Sequence, residues 1–168
     1  MTDELRILQQ ILFEPLGLSV NALEADQEAE EYSGFNFRLD RLSVKYRKAK
    51  ITPKKVGQFV TLWKRGADGQ TQPFQLDDPF DCYIIAVRQD DQLGVFIFPK
   101  AALADKQILS SAHKEGKRGF RLYPAWDAPT NRQALASQRW QCQYFYEITH
   151  MDDTLLEKIS AHLKLEAH

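Results

Sequence analysis

Two apolar runs separated by a short polar turn constrain this chain most. Tyr83-Ile84-Ile85-Ala86-Val87 and Val95-Phe96-Ile97-Phe98-Pro99 lie on either side of Gln89-Asp90-Asp91-Gln92. β-Branched and aromatic residues suit a pleated surface, so residues 81–88 and 93–98 are expected to pair as a hairpin, in the most hydrophobic part of the chain. The runs are about five residues long, whereas a membrane-spanning helix needs roughly 20, so no membrane partner is expected.

Further strands precede and follow this hairpin. Phe35, Phe37 and Leu39 alternate with polar residues, and a turn at Asp40-Arg41 leads into Leu42–Arg47, which predicts another hairpin. After the break at Thr52-Pro53, residues 58–64 are apolar on both faces and are expected inside the same sheet. Gly119–Tyr123 suits a sixth strand. Helical signals lie at both ends. Thr2 or Asp3 can cap a first helix carrying Leu5, Leu8, Ile11 and Leu12, and Asp152 or Asp153 a last one carrying Leu155, Leu156, Ile159 and Leu163. Between them, residues 22–32 are read as an acidic helix and Lys100–Gln107 as a short one. Thr130 with Gln133 is read as a capping box before Ala134, Leu135, Trp140 and Tyr144. The expected architecture is one α+β domain over residues 1–168, with a mixed, mostly antiparallel sheet of about six strands flanked by helices.

The formal charge of −1 hides strong segregation. Residues 1–31 hold eight acids and one base, whereas residues 38–65 hold ten bases and one acid. A second basic group follows at Lys100, Lys106, Lys114, Lys117, Arg118 and Arg121. A near-neutral total excludes a wholly basic packaging protein, but a basic block of this density can attract phosphates. If strands 42–47 and 58–64 are neighbours, Lys45, Arg47, Lys54, Lys55 and Arg65 meet around Trp63, a possible stacking platform. The alternative is a solvated sheet face whose bases pair with the acidic N-terminal stretch.

Other chemistry is sparse. The acidic start Thr2-Asp3-Glu4 lacks the features of a signal peptide, so a cytoplasmic protein is expected, with Cys82 and Cys142 as unlinked thiols. His113, His150, His162 and His168 show no paired ligand spacing, so no metal site or cofactor is expected, and His162 and His168 read as solvent-facing. Glu115-Gly116-Lys117 has the acid-x-lysine spacing of metal-dependent nucleases, with Asp81 as the best-placed second acid, but so short a triplet recurs by chance. A charged surface turn is the plainer reading. Tyr123, Trp126, Trp140 and Tyr144 can stack on bases or close a core, with core packing favoured.

Ala49-Lys50-Ile51-Thr52-Pro53-Lys54-Lys55-Val56-Gly57-Gln58-Phe59-Val60-Thr61-Leu62-Trp63-Lys64-Arg65 resembles the central signature of the MepB-like proteins, a group of small bacterial proteins. Val95–Lys100, Glu115–Arg118, Tyr123-Pro124 with Trp126-Asp127, and Gln138 with Trp140-Gln141 extend the likeness across residues 31–147. Ala125 stands where the family's Tyr-Pro-Pro-Trp string has a second proline. The resemblance implies a restriction-endonuclease-like core and a surface that contacts nucleic acid. Lys50, Lys54, Lys55, Lys64, Arg65, Lys117 and Arg118 are the expected phosphate contacts, with Trp63 stacking. Two alternatives remain: a Mg²⁺-dependent nuclease using Asp81, Glu115 and Lys117, and a domain that binds an acidic protein partner.

Overall fold

A computed structural model describes residues 1–166. Helix α1 (Asp3–Leu8) continues into a π-helical turn at Gln9–Phe13, followed by β1 (Val20–Ala25) and a 3-10 segment at Gln27–Tyr32. Next come β2 (Phe35–Leu39), β3 (Leu42–Lys48), β4 (Lys50–Ile51), β5 (Gln58–Thr61), β6 (Trp63–Arg65) and β7 (Thr71–Pro73). The chain then forms β8 (Cys82–Gln89), β9 (Gln92–Pro99), α2 (Lys100–Asp105), β10 (Gly119–Leu122), α3 (Arg132–Gln141), β11 (Phe145–Glu147) and α4 (Asp153–Glu166). The fold is α+β, built on a six-stranded mixed sheet in the order β1-β2-β3-β8-β9-β11. Its β3–β8 pair is parallel and its other pairs are antiparallel.

Side-chain alternation in the two central strands explains the layering. In β8, Cys82, Ile84 and Ala86 face one core while Tyr83, Ile85 and Val87 face another. β9 divides likewise, with Val95 and Ile97 on the first side and Phe96 and Phe98 on the second. Leu5, Leu8 and Leu12 from the first helix and Ile159 and Leu163 from α4 close the first core. Val60, Leu62, Phe120, Leu122 and Leu103 close the second. Burying one such side chain is worth about 1.5–3 kcal/mol, so a strand apolar on both faces strongly favours a sheet covered on both sides.

Both expected hairpins are present, each with an aspartate in left-handed backbone at its two-residue turn: Asp40 at φ 53° and Asp90 at φ 53°. The expected caps Thr2 and Asp152 accept hydrogen bonds from the Leu5 and Leu155 amides. Asn131, not Thr130, caps α3, accepting from the Ala134 amide at 2.8 Å.

Four other expectations are corrected. Residues 20–25 are strand β1, because antiparallel pairing with β2 outweighs the helix preference of Ala, Leu and Glu. Residues 58–61 and 119–122 leave the main sheet and form a second one, ordered β10-β5-β4. Consequently β3 neighbours β8, not β5. Finally, His162 is half-buried, with Nδ1 2.6 Å from the Tyr146 hydroxyl. His168 lies outside the described residues. Among those described, no helix is long and apolar enough to cross a membrane.

Candidate nucleic-acid interface

The acidic N-terminal stretch covers much of the basic block. Asp26 follows β1 and reaches β3, where its carboxylate lies 2.6 Å from Arg47 Nη2 and 3.6 Å from Lys45 Nζ. All three side chains are largely or wholly buried. Burial opposes ionisation of Asp26, but the charges of Arg47 and Lys45 outweigh it and hold the carboxyl below its ordinary value. Lys45 is lowered by burial and by Arg47, against the pull of Asp26. Lys48 meets the buried Glu4 at 2.6 Å, Lys50 meets Glu31 at 3.8 Å, and Arg65 meets Glu28 at 3.6 Å. The surface around Trp63 expected from the sequence therefore does not form. Lys45 and Arg47 point into the protein, and half-buried Trp63 lies under the Arg65 guanidinium at 5.4 Å.

Two more expected phosphate contacts serve the fold. Lys64 pairs with Asp78 at 2.7 Å. Arg118 reaches Glu115 at 3.1 Å and donates to the Thr71 carbonyl, joining the loop before β10 to β7. Lys54, Lys55 and Lys117 are exposed, and among the described residues none has a carboxylate within 4 Å.

Lys54 and Lys55 occupy the turn between β4 and β5, where Val56 is exposed, as is Ile51 at the end of β4. Arg121 of β10 clamps this turn: Nη2 donates to Thr52 Oγ1 at 2.5 Å and to the Gly57 carbonyl, and Nε to the Val56 carbonyl. Gly57 has φ +90°, and a Cβ there would lie 2.7 Å from the Leu122 carbonyl oxygen and 2.9 Å from the Tyr123 ring. Only glycine lets the turn sit this close to β10.

On the other side of Arg121, a cleft of about 430 Å³ opens between β5–β10 and α3. Lys106, Lys117, Arg121, Phe59, Tyr123 and Trp140 contribute to its lining, and no acidic residue does. Buried Gln141 fixes the floor, since Oε1 accepts from the Tyr123 amide and Nε2 donates to the Arg121 carbonyl. Trp140 packs against Phe98 at 5.3 Å between ring centres, so the expected core role and a share in the cleft both hold.

Lys117 reaches the cleft because Gly116 lies directly on the chain at 108–110. A Cβ there would be 2.3 Å from the Ile108 carbonyl oxygen. Lys117 N donates to that same carbonyl, and Gly116 N to Ser110 Oγ. Glu115-Gly116-Lys117 is thus a charged loop before β10.

The two acids of the nuclease reading each have a partner within the fold. The Asp81 carboxylate accepts from the Ser43 amide at 2.7 Å, bracing the start of β3 against β8, while Glu115 faces Arg118. Among the described residues, no three His, Cys, Asp or Glu side chains gather as a possible ligand set. The sequence marks Lys106 and Arg121 as charge and Tyr123 and Trp140 as aromatics but does not bring them to one cleft. Their link is the β5–β10 pairing, and Arg121 lies 69 residues from Thr52 in sequence.

No curated protein matches this chain in sequence. The crystal structure of MepB is 32% identical, covers 90% of this chain and 100% of its own, and superposes with a TM-score of 0.78. The bacterial homing endonuclease I-Ssp6803I aligns over 95% of this chain and 92% of its own, at 12% identity and a TM-score of 0.47, too low to carry an argument. The MepB-like family model matches residues 26–147, which include the Lys54-Lys55 turn, Lys117, Arg121 and Trp140. With that match and the MepB alignment, this chain belongs to the MepB-like family.

Proposed function

We propose that the protein binds nucleic acid, contacting phosphates through Lys54, Lys55 and Lys117 beside the Arg121 guanidinium. One observation carries this reading: these bases have no carboxylate partner among the described residues, whereas Lys45, Arg47, Lys48, Lys50, Lys64 and Arg65 do. A cation already paired with a carboxylate has less to gain from a phosphate than an exposed, unpaired one. The adjoining cleft supports the same reading, because bases and aromatic rings line it without any acid.

Fluorescence anisotropy of labelled oligonucleotides at 50 mM salt tests the proposal. Binding that weakens steeply as salt rises is the expected result. No binding to single strands or duplexes, DNA or RNA, at that salt rejects it.

A further inference from the structure

We infer that the cleft between β5–β10 and α3 receives one unstacked base, so that the nucleic acid recognised is single-stranded. This inference rests on the nucleic-acid reading above and specifies its ligand. A volume of about 430 Å³ falls within the roughly 300–1,000 Å³ of small-molecule sites. That scale suits a single nucleotide. A paired base in a duplex presents only its edge in a groove, so a base that lies on an aromatic ring must first leave its stack.

The lining supplies each kind of contact such a base needs. Phe59, Tyr123 and Trp140 are half-buried and line the cleft. Asn131, Gln133 and Ser137 bring polar groups from α3 and its N-cap. Asn131 Oδ1 accepts from the Ala134 amide, which leaves its Nδ2 as a donor, and exposed Gln133 offers both a donor and an acceptor. Amide side chains of this type match the mixed donor and acceptor edge of a base.

Charge accounts for the attached phosphate. Arg121 directs Nε and Nη2 to the Lys54-Lys55 turn, leaving Nη1 for a ligand, and Lys117 is exposed at the cleft. Lys106 lies 5.9 Å from the Trp140 ring centre, and its neighbour Asp105 is 3.9 Å away. A strand with its base in the cleft can therefore pass its backbone along Lys117 and Arg121 toward Lys54 and Lys55. The floor is already braced by Gln141, so binding needs little ordering of the protein.

The test compares three competitors at equal total phosphate concentration against a labelled single-stranded oligonucleotide: an unlabelled single strand, the matching duplex and an abasic single strand. The unlabelled single strand is expected to compete at least tenfold better than either of the others. Ser137→Phe, which narrows the cleft, is expected to abolish that preference, and a preference that survives in a folded variant overturns the inference. Equal competition by all three overturns the inference and leaves the proposed function standing. Failure of a labelled single strand and, separately, of a labelled duplex to bind at 50 mM salt overturns both. If Ser137→Phe fails to fold, the competitor comparison on the unaltered protein still decides.

Discussion

The bases around Asp26 and the Lys54-Lys55 pair clamped by Arg121 come from one basic stretch of sequence and meet opposite fates. Arg47 and Lys45 lie under the chain that links β1 to β2, sharing one carboxylate in a buried cluster. Lys54 and Lys55 lie a few residues on, exposed on a turn that Arg121 clamps from below. Density of positive charge in a sequence thus says little about an interface. What matters is which bases the fold has already neutralised, and that depends on strand pairing across long separations.

The largest expected difference between the two regions is in stability. Asp26→Ala leaves two buried cations without their shared carboxylate, which typically costs about 3–5 kcal/mol. Denaturant unfolding measures it, and a loss below about 1 kcal/mol would make the covered region no more than a solvated surface. pH sharpens the point. The folded-state pKa of Asp26 lies below its ordinary 3.8, so its ionised form stabilises the protein above that pH. That contribution is lost as pH falls through the lower folded value. The stability gap between the wild type and Asp26→Asn is therefore expected to hold at neutral pH and to narrow below about pH 3.8.

A smaller effect is expected at the open region. Gly116→Ala would set a Cβ against the Ile108 carbonyl, and overpacking of this kind costs about 1–3 kcal/mol. Because the same backbone aims Lys117 at the cleft, oligonucleotide affinity should fall along with the melting temperature. A stable variant with unchanged affinity would separate Lys117 from the interface. The smallest change is expected for Glu31→Gln, whose ion pair with Lys50 is largely exposed. Unfolding should shift by less than about 1 kcal/mol.

Much of the fold was legible where the determining contacts are local. The turns at Asp40-Arg41 and Asp90-Asp91 announce two hairpins, and Thr2 and Asp152 announce two helix starts. Strand β1 was hidden because Ala22, Leu23 and Glu24 favour helix and only pairing with β2 overrides them. The parallel β3–β8 pair and the transfer of β5 to a second sheet with β10 carry no local signal. For the same reason, Lys54, Lys55 and Lys117 could be nominated from sequence, but their meeting with Arg121 and Trp140 could not. Lys50, Lys64 and Arg65 stand beside them in the sequence reading because nothing local reveals Glu31, Asp78 or Glu28 as their partners.

Salt dependence of oligonucleotide affinity tests the central contrast most directly, with Lys54→Ala/Lys55→Ala compared against Lys50→Ala/Arg65→Ala. Each lost phosphate contact should lower the slope of log K against log salt by roughly 0.7–0.9. The account predicts a drop of about 1.4–1.8 for the open pair and little change for the covered pair. An equal drop in both variants, or a drop confined to Lys50 and Arg65, would contradict it.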